Sequence, residues 1–267
     1  MKVADMHAHI FPDHIAQHVA DNFAIYYETQ MSHIPCLHTY LNEIDTDDFC
    51  MGIISSSATK PEQAAAINTF ISQCAASSPK LLGLGSLYPT MEGWEEELER
   101  IPTLGLRGLK IHPDFQQIDI DEPKAIPMYR AIARMGLPVL FHVGDPVKDY
   151  SSPVRLVNLM RQVPDLTVIA AHFGGWRAWQ LPRIIQFPEN IYFDCSSTLM
   201  YLGKDQGLDL MERLGPDRFL FGSDFPYWTP QKELERFMEL DLDDSTREKI
   251  LYGNFETLFL SQENAHD

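Results

Sequence analysis

The chain has 267 residues, of which 45% are hydrophobic, 22% are charged and 11% are aromatic. These proportions exclude a disordered, collagen-like or fibrous protein and are typical of a packed globular domain. The 38 acidic and 21 basic side chains give a formal net charge of -17, which repels phosphate backbones and anionic lipids. We therefore expect a small-molecule substrate, and neither nucleic acid nor a membrane surface as a partner.

Eight short apolar segments recur along the chain, and most are apolar on both faces, as strands of a buried parallel sheet are. The predicted strands are Val3–His9, Cys50–Ser55, Leu81–Leu87, Gly108–His112, Val139–Val143, Thr167–His172, Ile191–Ser196 and Phe219–Asp224. Amphipathic segments separate them and predict helices. Examples are Lys60–Ser77, which has Pro61 in its first turn, and a segment near Pro127 that ends before Gly136.

Eight strand–helix units in 267 residues average about 33 residues each, which is the count of a (β/α)8 TIM barrel. A doubly wound open sheet also alternates strands and helices, but its first strand usually leads into a glycine-rich turn. Here the corresponding residues, His7 to Pro12, contain no glycine. The sequence therefore predicts an α/β fold, a single TIM-barrel domain over residues 1–267, closed by a C-terminal helical segment from Asp243 to Leu260.

The four cysteines form neither a CxxC pair nor a closely spaced framework; they are Cys36, Cys50, Cys74 and Cys195. Free, reduced thiols are typical of cytoplasmic proteins. No apolar run approaches the roughly 18 residues that a membrane helix needs. We expect a cytoplasmic protein; a homo-oligomer is plausible, but no heptad or exposed apolar helix reveals its interface.

Polar residues are concentrated at the predicted carboxyl ends of the strands, where barrel enzymes carry their chemistry. The first strand ends with Asp5, His7 and His9, and alternation along a strand predicts that these three side chains point the same way. Two imidazoles two residues apart can reach a single metal ion. The motif alone is a weak signal, because ten histidines produce some HxH matches by chance.

Four further strand ends carry ionisable residues that would meet the first two histidines at one barrel mouth. They are Lys110 and His112, His142, His172, and Asp224, while the seventh strand contains Asp194. Each ionisable group on a buried strand is costly unless a charge or a metal compensates it. A single such residue is often a hydrogen-bonded core residue, but the convergence of the set predicts a metal-dependent active site.

The motifs HxH, GLKIHP, FHVG, AHFGG, YFDCSS, FGSDFP and GNFETLF resemble the amidohydrolase superfamily. The likeness is closest to its amidohydrolase-related branch, which includes enzymes of the aminocarboxymuconate-semialdehyde decarboxylase and resorcylate decarboxylase types. The resemblance implies a divalent metal held by His7, His9, His142 and Asp224, with His172 as a neighbouring catalytic or substrate-binding residue. Zinc suits these donors, although manganese is also possible.

Lys110 departs from the pattern of the decarboxylase-like members of the branch, in which this lysine is usually absent. Three interpretations follow: a carbamate bridging two metal ions, a cation that binds a substrate carboxylate or carbonyl, or a structural partner of an acid such as Asp194. We favour the substrate-facing cation, because cationic groups in such sites commonly bind anions. One metal ion is then expected, and two would be expected if Lys110 were carbamylated.

The hydrolase interpretation assigns catalytic roles to Asp224, His172 and Lys110. A bound divalent ion lowers the pKa of its water to about 7, and Asp224 takes the proton and passes it to the leaving group. Lys110 polarises the scissile carbonyl, and His172 stabilises the charge that develops on its oxygen. The expected substrate is a small cyclic or acyl compound, namely an ester, an amide or a lactone.

The alternative is a non-oxidative decarboxylase of a small aromatic or unsaturated carboxylic acid. The metal would chelate the substrate carboxylate, and Asp224 would deliver a proton to the carbon that loses carbon dioxide. Members that decarboxylate aromatic acids often carry an arginine after the first strand, whereas residues 25–41 contain neither Arg nor Lys. This difference favours hydrolysis.

Candidate substrate contacts lie on the same strand ends and in the loops that follow them. They are His112, Trp176, Arg177 and Trp228. Their aromatic area and single guanidinium suit a small, planar or cyclic substrate, although the tryptophans could equally pack the loops. A related nuclease family would carry a Glu in place of Lys110, and a charge of -17 disfavours DNA binding.

Overall fold

The computed structural model describes residues 1–261, in which strands and helices alternate along most of the chain. The strands are β1 (Val3–His9), β2 (Phe49–Ser55), β3 (Leu81–Gly83), β4 (Leu109–Ile111), β5 (Val139–Phe141), β6 (Val168–Ala170), β7 (Ile191–Asp194) and β8 (Phe219–Leu220). The helices are α1 (Asp13–Tyr27), α2 (Leu37–Ile44), α3 (Ala64–Ala76), α4 (Trp94–Thr103), α5 (Pro113–Gln116), α6 (Ile126–Arg134), α7 (Pro153–Gln162), the single turn α8 (Ala171–Gly174), α9 (Leu199–Leu214), α10 (Pro230–Met238), α11 (Asp244–Glu248) and α12 (Asn254–Phe259).

The eight strands follow one another in chain order around a parallel barrel. Strands β1 to β3 form one sheet and β4 to β8 form another. Parallel bridges join the two sheets at both seams, from Gly85 to Leu109 and from Ala8 to Phe225. Backbone hydrogen bonds support both seams, including Lys110 N to Gly85 O at 2.7 Å and Met6 N to Phe221 O at 3.0 Å. The predicted TIM barrel is confirmed.

Several strands end earlier than predicted, so that the polar residues follow the strands. β6 ends at Ala170 and β8 at Leu220, whereas the predicted ends were His172 and Asp224. Both polar residues have a left-handed backbone with φ of 60°, which cannot continue an extended strand. Their side chains therefore lie in the loops at the carboxyl end of the barrel.

Strand β1 does not keep the alternation that the sequence predicted for Asp5, His7 and His9. Its pairing register with β2 shifts between Asp5 and Ala8, and an irregularity of this kind reverses the side-chain alternation beyond it. The Asp5 carboxylate accepts hydrogen bonds from Tyr40 of α2 at 2.9 Å and from the Ser223 hydroxyl at 2.6 Å. The expectation of a common direction was wrong for Asp5, which supports the barrel from outside the histidine cluster.

The barrel interior and the last helices share one apolar cluster. Ala4, Met6, Leu140 and Ile169 are buried in it together with side chains of α12, of which Phe255 and Phe259 are the largest. The chain from Asp244 to Phe259 is helical, with a π-helical turn between α11 and α12. This segment is the predicted closing helix, and residues 262–267 of the predicted domain lie outside the described part.

Within residues 1–261, none of the helices has the length and apolar character required to cross a membrane. All four cysteines are free thiols, and three of them are buried.

Candidate metal and active site

Three side chains converge at the carboxyl end of the barrel. The Nε2 atoms of His7 and His9 lie 3.1 Å apart, and Asp224 Oδ1 lies 3.5 and 3.4 Å from them, respectively. His7 is fully buried, whereas the side chains of His9 and Asp224 retain 12% and 15% of their exposure. Two imidazole nitrogens and one carboxylate oxygen suit zinc and other divalent first-row ions. The donor set therefore fits a divalent metal.

Asp194 at the end of β7 holds two of the site histidines in place. Its Oδ2 accepts a hydrogen bond from His7 Nδ1 at 2.7 Å, which leaves His7 Nε2 directed at the cluster. Its Oδ1 accepts from the His172 amide at 3.0 Å and from the Ser196 hydroxyl at 2.6 Å. A carboxylate behind a histidine fixes the tautomer and the ring orientation of a metal ligand. Asp194 thus has the position of a supporting residue.

Lys110 is buried beside the group formed by His7, His9 and Asp224. Its Nζ lies 2.9 Å from His7 Nε2, and the residue has no exposed surface and does not line the cavity described below. Burial lowers the pKa of Lys110 to about 8, although Asp224 and Asp194 oppose this change. Because Lys110 contacts His7 and does not line the cavity, this geometry gives no support to the favoured interpretation, a cation facing the substrate, which stays a prediction. The lysine is placed as a partner of the buried cluster.

His142 and His172 form a separate pair beside the cluster. His142 Nε2 donates to the carbonyl oxygen of Gly144 at 2.9 Å, which leaves its Nδ1 facing His172 Nε2 at 3.1 Å. Among the described residues, His142 is not a member of either group of converging donors. The fourth predicted ligand therefore remains a prediction. His172 belongs to a second group with His7 and Asp194.

Gly144 explains how the loops after β5 and β6 approach each other. Its φ is +97°, and a Cβ atom on it would lie 2.3 Å from the Trp176 backbone nitrogen. That nitrogen donates to the Val143 carbonyl at 2.8 Å. A side chain at position 144 would clash with the Trp176 backbone and break this hydrogen bond. The same close approach of the two loops places the Gly144 carbonyl beside His142.

A cavity of about 760 Å³ opens above the cluster. His9 and Asp224 line it from the metal-binding group, and His112 and His142 line it from the neighbouring strand ends. The rest of the lining comes mainly from α1, α3 and the segment between β2 and α3. The size falls within the range of roughly 300–1,000 Å³ that is typical of small-molecule sites.

The predicted substrate contacts divide into two sets. His112 lines the cavity and lies 3.0 Å from the Tyr27 hydroxyl. Trp176, Arg177 and Trp228 do not line the cavity. Tyr27 packs edge to face against Trp176, with ring centroids 5.1 Å apart, and thus occupies the position between that ring and the cavity. The guanidinium of Arg177 stacks on Trp176 at 4.5 Å, so these two side chains pack against each other; the substrate contacts of Trp176, Arg177 and Trp228 stay predictions.

Asp224 is held as an ionised carboxylate by its neighbours. Burial alone would raise the pKa of Asp224, but His172, His7 and His9 lower it well below its usual value. The Ser197 hydroxyl donates to Asp224 Oδ2 at 2.6 Å, and the Ser197 amide donates to the buried Glu233 at 3.2 Å. Burial raises the pKa of Glu233 to about 7 despite its contact with Arg236.

We predict that the free energy of unfolding falls, relative to that of a Glu233→Gln variant, as the pH rises from about 5 to 7. The folded pKa of about 7 lies above the ordinary value of 4.5. The folded protein therefore retains a proton that the unfolded chain releases, which costs up to about 1.4 kcal/mol per pH unit. Urea denaturation across this range measures the effect, with Glu235→Gln on the same helix as an exposed control. If the difference in unfolding free energy between the parent protein and Glu233→Gln did not change with pH, the prediction would be wrong.

Sequence analysis missed three residues that contact the site. Asp194 was named on the seventh strand and as a possible partner of Lys110, Ser197 was quoted only within the motif YFDCSS, and Tyr27 was not singled out. The single signal was the polar run Asp194 to Ser197 directly after an apolar strand. Tyr27 had no such signal, because its proximity to His112 depends on how α1 crosses the barrel mouth.

A curated relative is a decarboxylase. Over 267 aligned residues, the chain is 24% identical to the 2-amino-3-carboxymuconate-6-semialdehyde decarboxylase of Dictyostelium discoideum, covering 80% of this chain and 74% of that protein.

Solved structures of similar fold cover nearly the whole chain. A TIM-barrel protein from Bordetella bronchiseptica has a TM-score of 0.76 and 20% identity, covering 97% of this chain and 98% of its own. A dihydroxybenzoic acid decarboxylase from Polaromonas sp. JS666, with bound manganese and the inhibitor 2-nitroresorcinol, has a TM-score of 0.75 and 17% identity, covering 100% and 99%. These likenesses show the shared barrel.

Decarboxylases recur among the named relatives, and this finding contradicts the prediction of a hydrolase. The absence of Arg and Lys from residues 25–41 was therefore a misleading signal. It concerned a single loop, whereas the polar residues at the strand ends are compatible with either reaction. Since the model of the family described as amidohydrolase matches residues 4–259, almost the whole length of the chain, this protein belongs to the amidohydrolase family.

Proposed function

We propose that this protein is a metal-dependent, non-oxidative decarboxylase of an aromatic or unsaturated carboxylic acid. The observation that carries the proposal is the group of His7, His9 and Asp224, which borders the cavity through its last two members. A substrate carboxylate in the cavity can reach this group. The decarboxylase activity of the Dictyostelium relative supports the same reaction class.

His7, His9 and Asp224 would hold the metal, and His142 is the fourth ligand that the family resemblance implies. Zinc is our first choice because two imidazoles and a carboxylate suit it; manganese is the alternative, since it is bound in the Polaromonas enzyme. The bound ion supplies positive charge that holds the substrate carboxylate and stabilises negative charge beside it. One ion per chain is expected.

Asp224 is the residue best placed to move a proton. Its carboxylate belongs to the group that would hold the metal and also lines the cavity, so it can take a proton from a hydroxyl group of a substrate bound there. Decarboxylation breaks the bond between the carboxyl carbon and its neighbour, and the electron pair remains on that neighbour. Asp224 returns its proton to this carbon as carbon dioxide leaves, which balances the reaction without water or an oxidant.

Tyr27 supplies a hydrogen-bond donor at the cavity. His112 Nδ1 accepts from the Phe115 amide at 3.4 Å, which places the proton of neutral His112 on Nε2, facing the Tyr27 oxygen. Burial raises the pKa of Tyr27 well above its usual value, so the hydroxyl keeps its own proton. Tyr27 can therefore donate to an oxygen atom of the bound substrate.

We predict that the metal-loaded protein releases carbon dioxide from at least one acid in a panel of hydroxybenzoic and unsaturated carboxylic acids. Release should stop when a chelator removes the metal and return when zinc or manganese is restored, because the substrate carboxylate would lose its cationic partner. Trapping of carbon dioxide, with chromatography of the products, measures the reaction. Fully metal-loaded protein that releases none from any acid would overturn the proposal.

A further inference from the structure

The cavity extends well beyond the metal-binding group along one face of α1. Ile15, Val19 and Phe23 line it at intervals of four residues, and Tyr27 continues the same stripe. From Ile15 to Tyr27 the helix rises about 18 Å, at 1.5 Å per residue. Tyr27 hydrogen-bonds to His112 at the barrel mouth, whereas Ile15 is 37% exposed. The stripe therefore leads from the site to solvent.

Helix α3 provides the facing side of this space. Ala66, Ile67 and Phe70 line the cavity, with the three- and four-residue spacing that places side chains on one face of a helix. Together the stripes on α1 and α3 form an apolar cleft, which we call the α1/α3 cleft. Burying hydrocarbon in it would be favourable, at roughly 25 cal/mol per Å² of apolar surface.

The charges in the cavity define what the cleft can accept. Its lining includes no Lys or Arg among the described residues, and its carboxylates are Asp224 and Glu62. Glu62 and Thr59 are exposed and lie at the rim. A second acidic group on the substrate would find no cationic partner in the cleft, and it would meet the field of a chain with net charge -17.

We infer that the carboxylic acid on which this site acts carries a hydrocarbon substituent in addition to its carboxylate. Its carboxylate lies at His9 and Asp224, and its hydrocarbon lies in the α1/α3 cleft. This inference rests on the proposed decarboxylation, and it narrows the substrate class to acids with one acidic end and one apolar end.

Binding of the expected products tests the cleft without turnover. The probes are 5-methylresorcinol, 5-propylresorcinol and 5-pentylresorcinol, titrated into metal-loaded protein by calorimetry. We expect the dissociation constant to fall about fourfold per added methylene, the value for a buried CH2 group. Equal affinities for the three probes would overturn the inference.

Variants locate the effect in the cleft. Ala66→Trp fills the space between the two helices from an exposed position on α3, and Ala76→Trp places the same side chain at an exposed position outside the lining. Ala66→Trp should abolish the dependence on chain length, and Ala76→Trp should retain it. Chain-length dependence that survives in Ala66→Trp would contradict the inference.

Turnover separates this inference from the proposed function. The matching substrates are 2,4-dihydroxy-6-alkylbenzoic acids with methyl, propyl or pentyl groups. Carbon dioxide release at equal kcat/KM from all three would support decarboxylation and overturn the cleft assignment. Tighter binding of the longer resorcinols without release from any acid would support the cleft and overturn decarboxylation.

Discussion

Replacement of Asp224 by Asn is expected to lower carbon dioxide release by about a hundredfold to ten-thousandfold, the usual effect of removing a positioned proton-transfer group. An amide neither carries the negative charge that faces His7 and His9 nor accepts and returns a proton. The variant should also retain less than one equivalent of metal. Single-turnover rates and metal content by mass spectrometry measure the two effects separately.

The matched control is Asp205→Asn, which changes an exposed carboxylate on α9 and should leave both measurements unchanged. Asp224→Asn protein that keeps a full equivalent of metal and loses only turnover would assign proton transfer, but not metal binding, to Asp224. Full turnover in this variant would contradict both roles.

Replacement of Asp194 by Ala is expected to destabilise the protein by about 3–5 kcal/mol, the usual cost of breaking a buried ionic network. It should also weaken metal binding by about tenfold to a hundredfold, as loss of a residue that supports a metal ligand does. His7 Nδ1, the His172 amide and Ser196 all donate to this carboxylate. Without it, these buried donors have no acceptor and the His7 ring is no longer oriented.

Chemical denaturation of the metal-free protein measures the stability change, and titration with zinc measures the affinity. Ser196→Ala removes a hydroxyl that donates to Asp194 and lies 3.2 and 3.0 Å from Nδ1 of His7 and His172. It leaves the hydrogen bond from His7 to Asp194 in place, so its effect on metal affinity should be smaller. If Asp194→Ala lowered stability but bound zinc as tightly as the parent, the supporting role toward His7 would be wrong.

The barrel and most of its site could be predicted from the chain alone, for reasons that lie in local patterns. Apolar runs of strand length, each followed by an amphipathic segment, are compatible with few folds. In a parallel barrel all carboxyl ends meet at one rim, so polar residues after different strands become neighbours. The same geometry predicts that His7, His9, His172 and Asp224 meet at one barrel mouth.

The reaction class was the prediction that failed. It depended on the missing arginine in residues 25–41, a single loop, whereas hydrolysis and decarboxylation use the same metal-binding residues. Motifs that position a metal do not distinguish the two reactions, because the difference lies in what occupies the space above it.

The shape of the cavity and the partners of each charged side chain depend on how separate strands, helices and loops pack together. A register shift in β1 directs Asp5 to Tyr40 while His7 faces Asp194, and one shifted residue is enough to reverse a strand's faces. The stripe from Ile15 to Tyr27 was not singled out in the sequence, and the facing residues on α3 lie 39 to 55 residues away in the chain. The apolar cleft therefore exists only after long-range packing brings the two helices to the same barrel mouth.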